Sequence, residues 1–486
     1  MMRHPKDLVV FVCVLCAFVV NLPAQEKPPA PSTSKAITVP PVVEKKLING
    51  LTVSVVERKN VPLVTIQMLI RSGAKNEPAD KAGLANLTAD MLTKGTTTRS
   101  ATQIAEAVEA LGGSINTGAG WNSSSVSLTV TSDKVEQALT IMADIILNPK
   151  FDQKELDLLK TQTLDELTYN LKQPSFIASY VASKFTFGEH PAGGTPSTIA
   201  SITRDDVIAF HKANYIPGNG VLIFTGDTSR VIVNQPLFRN WRNRGGVEYG
   251  SRRLRWDTSA TPEQPVVRRI LVIDLPKSGQ AAVTYAKRSD SIGLGYSGKH
   301  FYPALVANSV LGGGYSARLN YEIRIKRGLS YGAGSSFAWR AEDSNFSARA
   351  QTKNQSAAEV AQLTIDEIKR MTRDKVNSDE LVPRKAVLTG SFGRNLETTA
   401  GLANALGELY AFYVPTSQLN TYASNVNGVV DEQIKEFASQ NLLGGDIVIV
   451  GDYSIFKDDL AKRFPKVNVT VIKADDLDLG KDTLHK

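Results

Sequence analysis

The chain has 486 residues, with 56 Lys and Arg against 48 Asp and Glu, and it is 42% hydrophobic and 21% charged. This ordinary globular composition excludes a disordered, collagen-like or polytopic membrane protein, and the length is enough for two or three domains. The net charge of +8 is mild for this length and does not by itself indicate a nucleic-acid partner.

The N-terminus is predicted to be a targeting segment. Arg3 and Lys6 precede an apolar run from Leu8 to Val20, and a Pro-Ala-Gln step follows at 23–25. This order is typical of a secretory signal, and the run is shorter than the roughly 20 residues of a membrane helix. We expect a signal peptide over 1–25 and an exported protein, periplasmic or secreted, with no integral membrane span after cleavage. An uncleaved N-terminal anchor is the alternative.

The cysteines support the same interpretation. Cys13 and Cys16 both lie inside the apolar run. The predicted mature chain therefore has no disulfide, no thiolate zinc site and no cysteine nucleophile.

The next segments predict strands and helices in alternation. Residues 51–57, 64–70 and 126–130 alternate between apolar and polar side chains, which indicates half-buried strands. Residues 82–94 and 133–147 have apolar residues at helical spacing. Together they predict an α+β fold, in which each β-sheet has helices packed on one face.

The middle of the chain is basic. RNWRNRGG at 239–246 and SRRLRW at 251–256 place cations beside Trp241, Tyr249 and Trp256. A nucleic-acid patch has this composition, but we favour an inter-domain linker whose aromatic residues attach it to the domains, with no nucleic acid bound.

Three matches at one offset reveal an internal repeat. VLIFTGDTS at 221–229 matches DIVIVGDYS at 446–454, FDQKEL at 151–156 matches VNSDEL at 376–381, and Asn170-Leu171 matches Asn395-Leu396, all 225 residues apart. We therefore predict two homologous domains. The predicted organisation after the signal is a Pro/Ser-rich linker at 26–39, an N-terminal domain at 40–235, a basic linker at 236–261, a C-terminal domain at 262–475 and a tail at 476–486.

Two common catalytic patterns are absent or misplaced. The predicted mature chain has four histidines, and no two lie within four residues of each other, so no helix can present a histidine pair to zinc. Gly328-Leu-Ser330-Tyr-Gly332 has the letters of a nucleophile elbow. That motif requires a strand-to-helix turn, whereas here the predicted order is helix to strand.

A glycine-rich segment, LGGGY at 311–315, lacks the Lys-Ser/Thr of a P-loop and the spacing of a dinucleotide-binding motif. It is better interpreted as a tight turn between helices.

Four longer stretches resemble one family. They are AGLANLTADMLTKGT at 82–96, ALGGSINTGAG at 110–120, the run from FGEHP to FTGD at 187–227, and LGGGYSARLNYEIRIKRGLSYGAGSS at 311–336. Together they resemble the insulinase, pitrilysin and mitochondrial-processing-peptidase superfamily of inverted zinc peptidases. The resemblance implies two layered domains arranged as one half of a clamshell.

The family's zinc motif is degenerate in this sequence. The two histidines of its His-x-x-Glu-His helix fall on Asn86 and Asp90, and the glutamate falls on Ala89. An amide is a poor zinc ligand, and alanine cannot accept a proton. Glu166 lies about where the family keeps its third ligand, and it is expected to be structural. The resemblance therefore implies that this chain binds no metal.

The second half keeps a different feature of the family, an Arg and a Tyr seven residues apart that reach the substrate. Arg324 and Tyr331 match this pair. A guanidinium and a phenol are suitable donors to a developing oxyanion. From residue types alone, an ordinary helix arginine and a packed tyrosine would be the simpler interpretation, and the surrounding motif favours the functional one.

A motif helix without its zinc ligands and base, together with a retained Arg/Tyr pair, resembles one partner of the two-subunit members of the family. It implies a heterodimer with a homologous zinc-bearing subunit, cleaving unfolded peptides at a site to which Arg324 and Tyr331 contribute in trans. A non-catalytic peptide-binding or scaffold protein of the same fold is the alternative. A self-sufficient zinc peptidase is a third hypothesis.

Overall fold

The computed structural model describes residues 38–231, 238–242, 265–289, 300–340 and 343–486. The predicted signal peptide and most of the basic linker, with Tyr249 and Trp256, lie outside these residues. Within them, no helix is both long and apolar enough to cross a bilayer.

The first half has strands and helices in the order that the periodicity predicts. Its described strands and α-helices are β1 (Val43–Lys46), β2 (Thr52–Glu57), β3 (Leu63–Ile70), α1 (Leu84–Met91), α2 (Ala101–Ala110), β4 (Ser114–Ala119), β5 (Ser124–Thr131), α3 (Val135–Leu147), α4 (Gln153–Asn170), α5 (Pro174–Phe185), α6 (Pro196–Ser201), α7 (Arg204–Asn214) and β6 (Gly220–Gly226).

The second half repeats this order with a different edge. Its described strands and α-helices are β7 (Val267–Asp274), β8 (Ala281–Ser289), α8 (Phe301–Leu311), α9 (Arg318–Asn320), β9 (Ser330–Trp339), β10 (Ser344–Thr352), α10 (Ala357–Arg373), α11 (Ser378–Glu397), α12 (Thr399–Ala411), α13 (Gln418–Gly428), α14 (Asp431–Asn441), β11 (Gly445–Gly451), α15 (Tyr453–Arg463) and β12 (Asn468–Lys473).

The described strands form two mixed six-stranded sheets. Their orders are β1-β2-β6-β3-β5-β4 and β12-β7-β11-β8-β10-β9. Strands β6 and β11 start 225 residues apart, as do α4 and α11, and α5 and α12. The sheets differ at one edge, because β1 is antiparallel to β2 whereas β12 is parallel to β7. The internal repeat of the sequence is therefore a repeat of structure.

One face of each sheet is buried by helices of its own half. In the first half, Ile66 and Leu128 pack with Leu84 of α1 and Met142 of α3. In the second half the corresponding core includes Val283, Phe346, Val310, Ile365 and Phe437. Helix stripes and alternating strands bury these side chains because their apolar residues fall on one side of each element.

The opposite face of each sheet is buried by a helix from the other half. Helix α12 of the second half packs on β3 and β6 of the first, where Leu402, Leu406 and Leu409 meet Val221 and Ile223. Helix α5 of the first half packs on β8 and β11 of the second, with Ile177, Ala178 and Val181 against Val448 and Val450. This reciprocal exchange makes each sheet dependent on the partner domain for half of its burial.

On the sheet face that α12 covers, polar groups of the first domain are hydrogen-bonded to the second domain. Thr65 Oγ1 on β3 lies 2.8 Å from Thr399 Oγ1, and Thr225 Oγ1 donates to Thr399 O at 2.8 Å. Gln67 Nε2 donates to Asn404 Oδ1 at 3.2 Å. Buried polar groups need partners, so these bonds fix where α12 lies on the first sheet.

The described part of the predicted linker contacts the first domain. Phe238 and Trp241 are buried in its core, and Trp241 Nε1 donates to Tyr215 O at 3.2 Å. At the other end of the chain, Leu479 and Leu484 of the predicted tail are buried beside α5. The exact domain boundaries stay predictions.

The predicted α+β class with two layered domains is confirmed. What the alternation did not predict is that the second face of each sheet is also buried. Strand β6 is buried along its whole length, and so is β11, because α12 and α5 cover the faces that alternating patterns would leave to solvent.

Because α12 buries one face of the first sheet, a substitution in α12 should lower the unfolding free energy of the whole chain. Leu406→Ala removes a fully buried side chain of α12 from the first sheet, and we expect it to cost about 2–5 kcal/mol of unfolding free energy. Leu158→Ala, at an exposed position of α4, is the control and should change it by less than about 0.5 kcal/mol. Urea denaturation followed by fluorescence measures both. Equal, small losses would contradict the exchange.

Candidate functional site

The degenerate motif helix α1 is held at its N-terminus by a buried glutamate. Glu77 accepts hydrogen bonds from the backbone N–H of Gly83 at 2.9 Å and of Ala85 at 2.7 Å. Gly83 has φ of 94°, a left-handed conformation that glycine adopts without strain. A carboxylate is favourable at this end of a helix because free N–H groups and the helix dipole are positive there.

His190, from the FGEHP segment, is bonded to the same carboxylate. Its Nε2 lies 3.1 Å from Glu77 Oε1 and 3.1 Å from Ala74 O. Both partners are acceptors, so Nε2 is the protonated nitrogen. His190 therefore supports the start of α1 and does not present Nε2 to a metal.

Asn86 uses both ends of its amide on backbone groups. Its Nδ2 donates to Ala192 O at 3.1 Å, and its Oδ1 accepts from Ala119 N, the last residue of β4, at 3.1 Å. Ala89, on the next turn, is fully buried. At these two positions α1 carries a structural bridge and an apolar contact.

Asp90 and Glu166 lie in different surroundings. Asp90 is half-buried with Thr117 Oγ1 3.5 Å from its Oδ1, and burial raises the pKa of its carboxyl group. Glu166 is exposed on α4, so the structural role expected for it has no support in its surroundings.

A zinc ion of the kind that the family's intact His-x-x-Glu-His motif holds does not fit these side chains. Asn86 is committed to backbone groups, Ala89 offers no base, and Asp90 alone is not a site. Across the described ranges, no cluster of three or more His, Cys, Asp or Glu residues could hold a metal ion.

The second set of candidate residues follows the glycine-rich turn between α8 and α9. Gly312 O accepts from Ser335 N at 3.0 Å, and a Cβ on Gly312 would lie 2.3 Å from that nitrogen. The turn predicted for LGGGY is therefore present. Its glycine allows the end of α8 to lie directly against β9.

Arg324 lies in a π-helical turn, Tyr321–Ile325, that continues α9. The wider turn is closed by a bond from Lys326 N to Tyr321 O at 2.8 Å. The buried Arg318 anchors α9 by a bidentate pair with Glu380, at 2.8 and 2.7 Å. Such π-turns are frequent at functional sites, and this one ends a few residues before β9.

Arg324 is the cation of this turn that is not paired with a carboxylate. Lys326 and Arg327 both bond Glu322. The Arg324 guanidinium lies over the ring of Tyr315, 5.1 Å from its centroid, and forms no ion pair within the described chain. A cation held by an exposed ring keeps its N–H groups available to a ligand.

Tyr331 lies in a β-bulge at the start of β9. Ser330 is opposite Thr352 and Ala333 is opposite Ala350, so that Tyr331 and Gly332 share one position on β10. The Tyr331 side chain is 87% exposed. Bulges redirect side chains at sheet edges, and β9 is the edge strand of the second sheet.

Ser330 braces this bulge. Its hydroxyl accepts from Gly332 N at 3.0 Å and lies 2.7 Å from the carbonyl oxygens of Gly332 and Gln351. The segment runs from helix to strand, as expected, so Ser330 is not at a nucleophile elbow.

Strand β9 also connects the second set of residues to the first. Arg340, which follows β9, forms a bidentate pair with Glu189 at 3.3 and 2.9 Å and lies 5.0 Å from the Trp121 ring centroid. Glu189 precedes His190. The strand that presents Tyr331 at one end is thus fixed to the degenerate site at the other.

The predicted order of helix and then strand around residues 328–332 is present, with Arg324 in the turn that continues α9 and Tyr331 near the start of β9. It missed Tyr315, although this aromatic residue belongs to the glycine-rich motif. It also missed Arg340 and Glu189, because an ion pair between distant segments leaves no local pattern.

Two family models match consecutive stretches of the chain, and the second match begins inside the first domain, before α7 and β6. Residues 52–192 match the model described as insulinase, peptidase family M16, and residues 201–388 match the peptidase M16 inactive domain. The second match contains Arg324 and Tyr331.

Several curated relatives are similar over most of their length. An uncharacterized zinc protease of Rickettsia felis is 25% identical over 81% of this chain and 94% of its own. An uncharacterized zinc protease of Bacillus subtilis, YmxG, is 26% identical over 81% and 93%.

Solved structures of similar fold include a member of the same peptidase family. A peptidase M16 inactive domain from Pseudomonas fluorescens is 25% identical, with a TM-score of 0.74 over 84% of this chain and 98% of its own. A protease from Helicobacter pylori has the same fold, with a TM-score of 0.76 at 18% identity over 85% of this chain and all of its own.

Because the Asp90 carboxyl is half-buried, we expect Asp90→Asn to raise the stability of the chain by an amount that depends on pH. Because burial raises its pKa in the folded state, the folded protein binds the proton more tightly, and stability is lost as pH rises past the unfolded pKa. Asp90→Asn should therefore stabilise the chain near pH 7, and the gain should disappear below about pH 4, the ordinary range of aspartate.

Thermal denaturation between pH 3.5 and 7.5 measures this gain. Asp165→Asn, at an exposed position of α4, is the matched control. A stability gain for Asp90→Asn that is the same at every pH would contradict the assignment.

Proposed function

Because the chain belongs to the insulinase family, peptidase family M16, we propose that it is a subunit of a two-chain metallopeptidase. In this proposal a homologous subunit with an intact His-x-x-Glu-His motif holds the zinc. This chain contributes Arg324 and Tyr331 to the shared site, where unfolded peptides are cleaved.

The first support is the chemistry of α1. The amide of Asn86 already bonds two backbone groups, and Ala89 has no proton-accepting atom. A peptidase needs a base and an activated water, so the metal and the base have to come from another chain.

The observation that carries the proposal is the state of Arg324 and Tyr331. Arg324 has no carboxylate partner among the described residues although Lys326 and Arg327 beside it do. Tyr331 is held out from the sheet edge by a bulge. An unpaired cation and an unpaired phenol can both donate hydrogen bonds to a negatively charged group that binds between them and the partner subunit.

Both groups are suited to an oxyanion. When a peptide bond is attacked, negative charge develops on its carbonyl oxygen, and fixed donors stabilise it more than they stabilise the substrate. The guanidinium supplies N–H donors and a positive charge, and the phenol supplies one O–H donor. The brace by Ser330 and the stacking on Tyr315 limit their movement before substrate binds.

The setting proposed for this reaction is outside the cytoplasm, in the periplasm or the medium. It follows from the predicted signal at 1–25 and from a predicted mature chain without cysteine.

A non-catalytic peptide-binding or scaffold role is the second candidate. It is favoured by one observation, the free edge of β9, since an edge strand can pair with an extended peptide through backbone hydrogen bonds. This role does not require Arg324 or the Tyr331 hydroxyl.

Substitution in the assembled complex separates the two functions. With a zinc-bearing partner co-expressed, Arg324→Ala or Tyr331→Phe should lower kcat/KM for an unfolded peptide by roughly 100- to 1000-fold, the cost of losing one oxyanion donor. Arg324→Lys keeps the charge and loses the forked geometry, so an intermediate loss is expected.

Tyr321→Phe is the matched control, an exposed tyrosine of the same turn, and should leave kcat/KM within about twofold of wild type. If the complex assembles and both site variants cleave at the wild-type rate, the role in trans is wrong and the binding role is favoured.

A further inference from the structure

Two adjoining cavities lie where the exchanged helix α5 begins, on the sheet of the second half. One, of about 430 Å³, is lined by Ser175, Phe176, Gly332 and Arg349. The other, of about 390 Å³, is lined by Lys172 and Lys277. Gln351 of β10 lines both. We call the surface formed by Lys172, Ser175, Lys277, Arg349 and Gln351 the cationic groove.

Arg349 is the central charge of this groove. It projects from β10 and is accessible to solvent, and its guanidinium has no hydrogen bond or ion pair to any residue in the described ranges. The surrounding walls displace water from the guanidinium, which lowers the pKa of Arg349. A charged group that is incompletely hydrated and has no partner is stabilised when an anion binds to it.

Two lysines and a helix end add to the positive charge. Lys172 lies between α4 and α5, and Lys277 lies in the turn between β7 and β8; both are exposed. Helix α5 starts after Gln173, whose side chain makes no capping bond. Its first residue, Pro174, has no N–H, so the N–H groups of Ser175 and Phe176 are the donors at this helix end. None of the described residues that line either cavity is acidic.

The groove continues from the proposed reaction site. Gly332 lines the larger cavity and is the second residue of the bulge that begins with Tyr331. A peptide whose scissile bond is at Tyr331 would extend past Gly332 toward the cavity that Arg349 also lines. Helix α5 of one domain and strand β10 of the other both line this cavity.

We propose that the cationic groove binds acidic side chains of a peptide, and that it selects substrates with Asp or Glu residues beside the cleaved bond. The inference rests on the proposed function for its position in the reaction, but the binding itself needs no partner subunit. Because the positive groups come from three separate segments, the groove suits several carboxylates along an extended chain better than a single terminal carboxylate.

Peptide binding to the isolated full chain tests the inference. The probe is a fluorescent 12-residue peptide rich in Asp and Glu, with an amidated C-terminus. Its comparisons are the same peptide with Asn and Gln in place of the acids, and that neutral peptide with a free C-terminal carboxylate. The acidic peptide should bind about tenfold more tightly than either, and this preference should fall as salt is raised from 50 to 500 mM, in the range where ionic screening becomes strong.

Charge-neutral variants locate the binding. Arg349→Gln, and the pair Lys172→Gln with Lys277→Gln, should each remove most of the preference, without loss of folding because these side chains make no described bond. Arg373→Gln and Lys457→Gln, at exposed positions outside the groove, are the matched controls and should keep it.

The outcomes separate this inference from the proposed function. If the acidic peptide is not preferred, or if Arg349→Gln binds it as tightly as wild type does, the proposal that the groove binds acidic side chains is wrong. If only the free terminal carboxylate is preferred, the groove binds chain ends and the proposal of acidic side chains is overturned. A preference that Arg349→Gln abolishes supports the groove even if Tyr331→Phe leaves cleavage by the complex unchanged, a result that would reject the proposed function alone.

Discussion

The fold depends on an exchange of helices between its two homologous domains. A six-stranded mixed sheet has two apolar faces to bury, and each domain supplies helices for only one of them. Helix α12 covers the first sheet and α5 covers the second. Since burial of apolar surface is the main favourable term in folding, neither domain has a complete core without the other. The repeated sequence therefore encodes one interlocked body.

This exchange also positions the proposed functional surfaces. Helix α5 forms one wall of the cationic groove, and the sheet on which it lies ends in β9, the strand that presents Tyr331. The far end of β9 is tied by Arg340 to Glu189, next to the histidine that holds the start of α1. The donors, the groove and the degenerate helix are thus connected through rigid elements, as oriented donors require.

Helix α1, on which the resemblance places a degenerate zinc motif, is stabilised without a metal. Buried polar groups left unpaired on this helix would cost free energy. Here an asparagine bridges β4 and the segment after His190, an alanine packs in the core, and only Asp90 keeps a partly buried charge. The result is a helix with a structural role.

Much of the fold could be predicted from the sequence because the signals were local or repeated. Apolar periodicity placed the strands and helices, and a constant offset gave two domains. The exchange could not be predicted, since nothing local says which domain a helix covers; the unbroken apolar runs of β6 and β11 were the available hint. Arg349 was missed because a single arginine in an alternating strand has the pattern of an ordinary surface residue. The role that we propose for Arg349 follows only from the residues that surround it.

The most direct test of the account is to ask what Tyr331 meets in a working complex. A photo-reactive benzoyl-phenylalanine placed at Tyr331, in the chain assembled with the proposed zinc-bearing partner, should cross-link a bound peptide at residues next to the scissile bond. The same group at Val382, an exposed position on α11, should not. If neither position cross-links the peptide although the complex still binds it, Tyr331 is remote from the reaction and the account is contradicted.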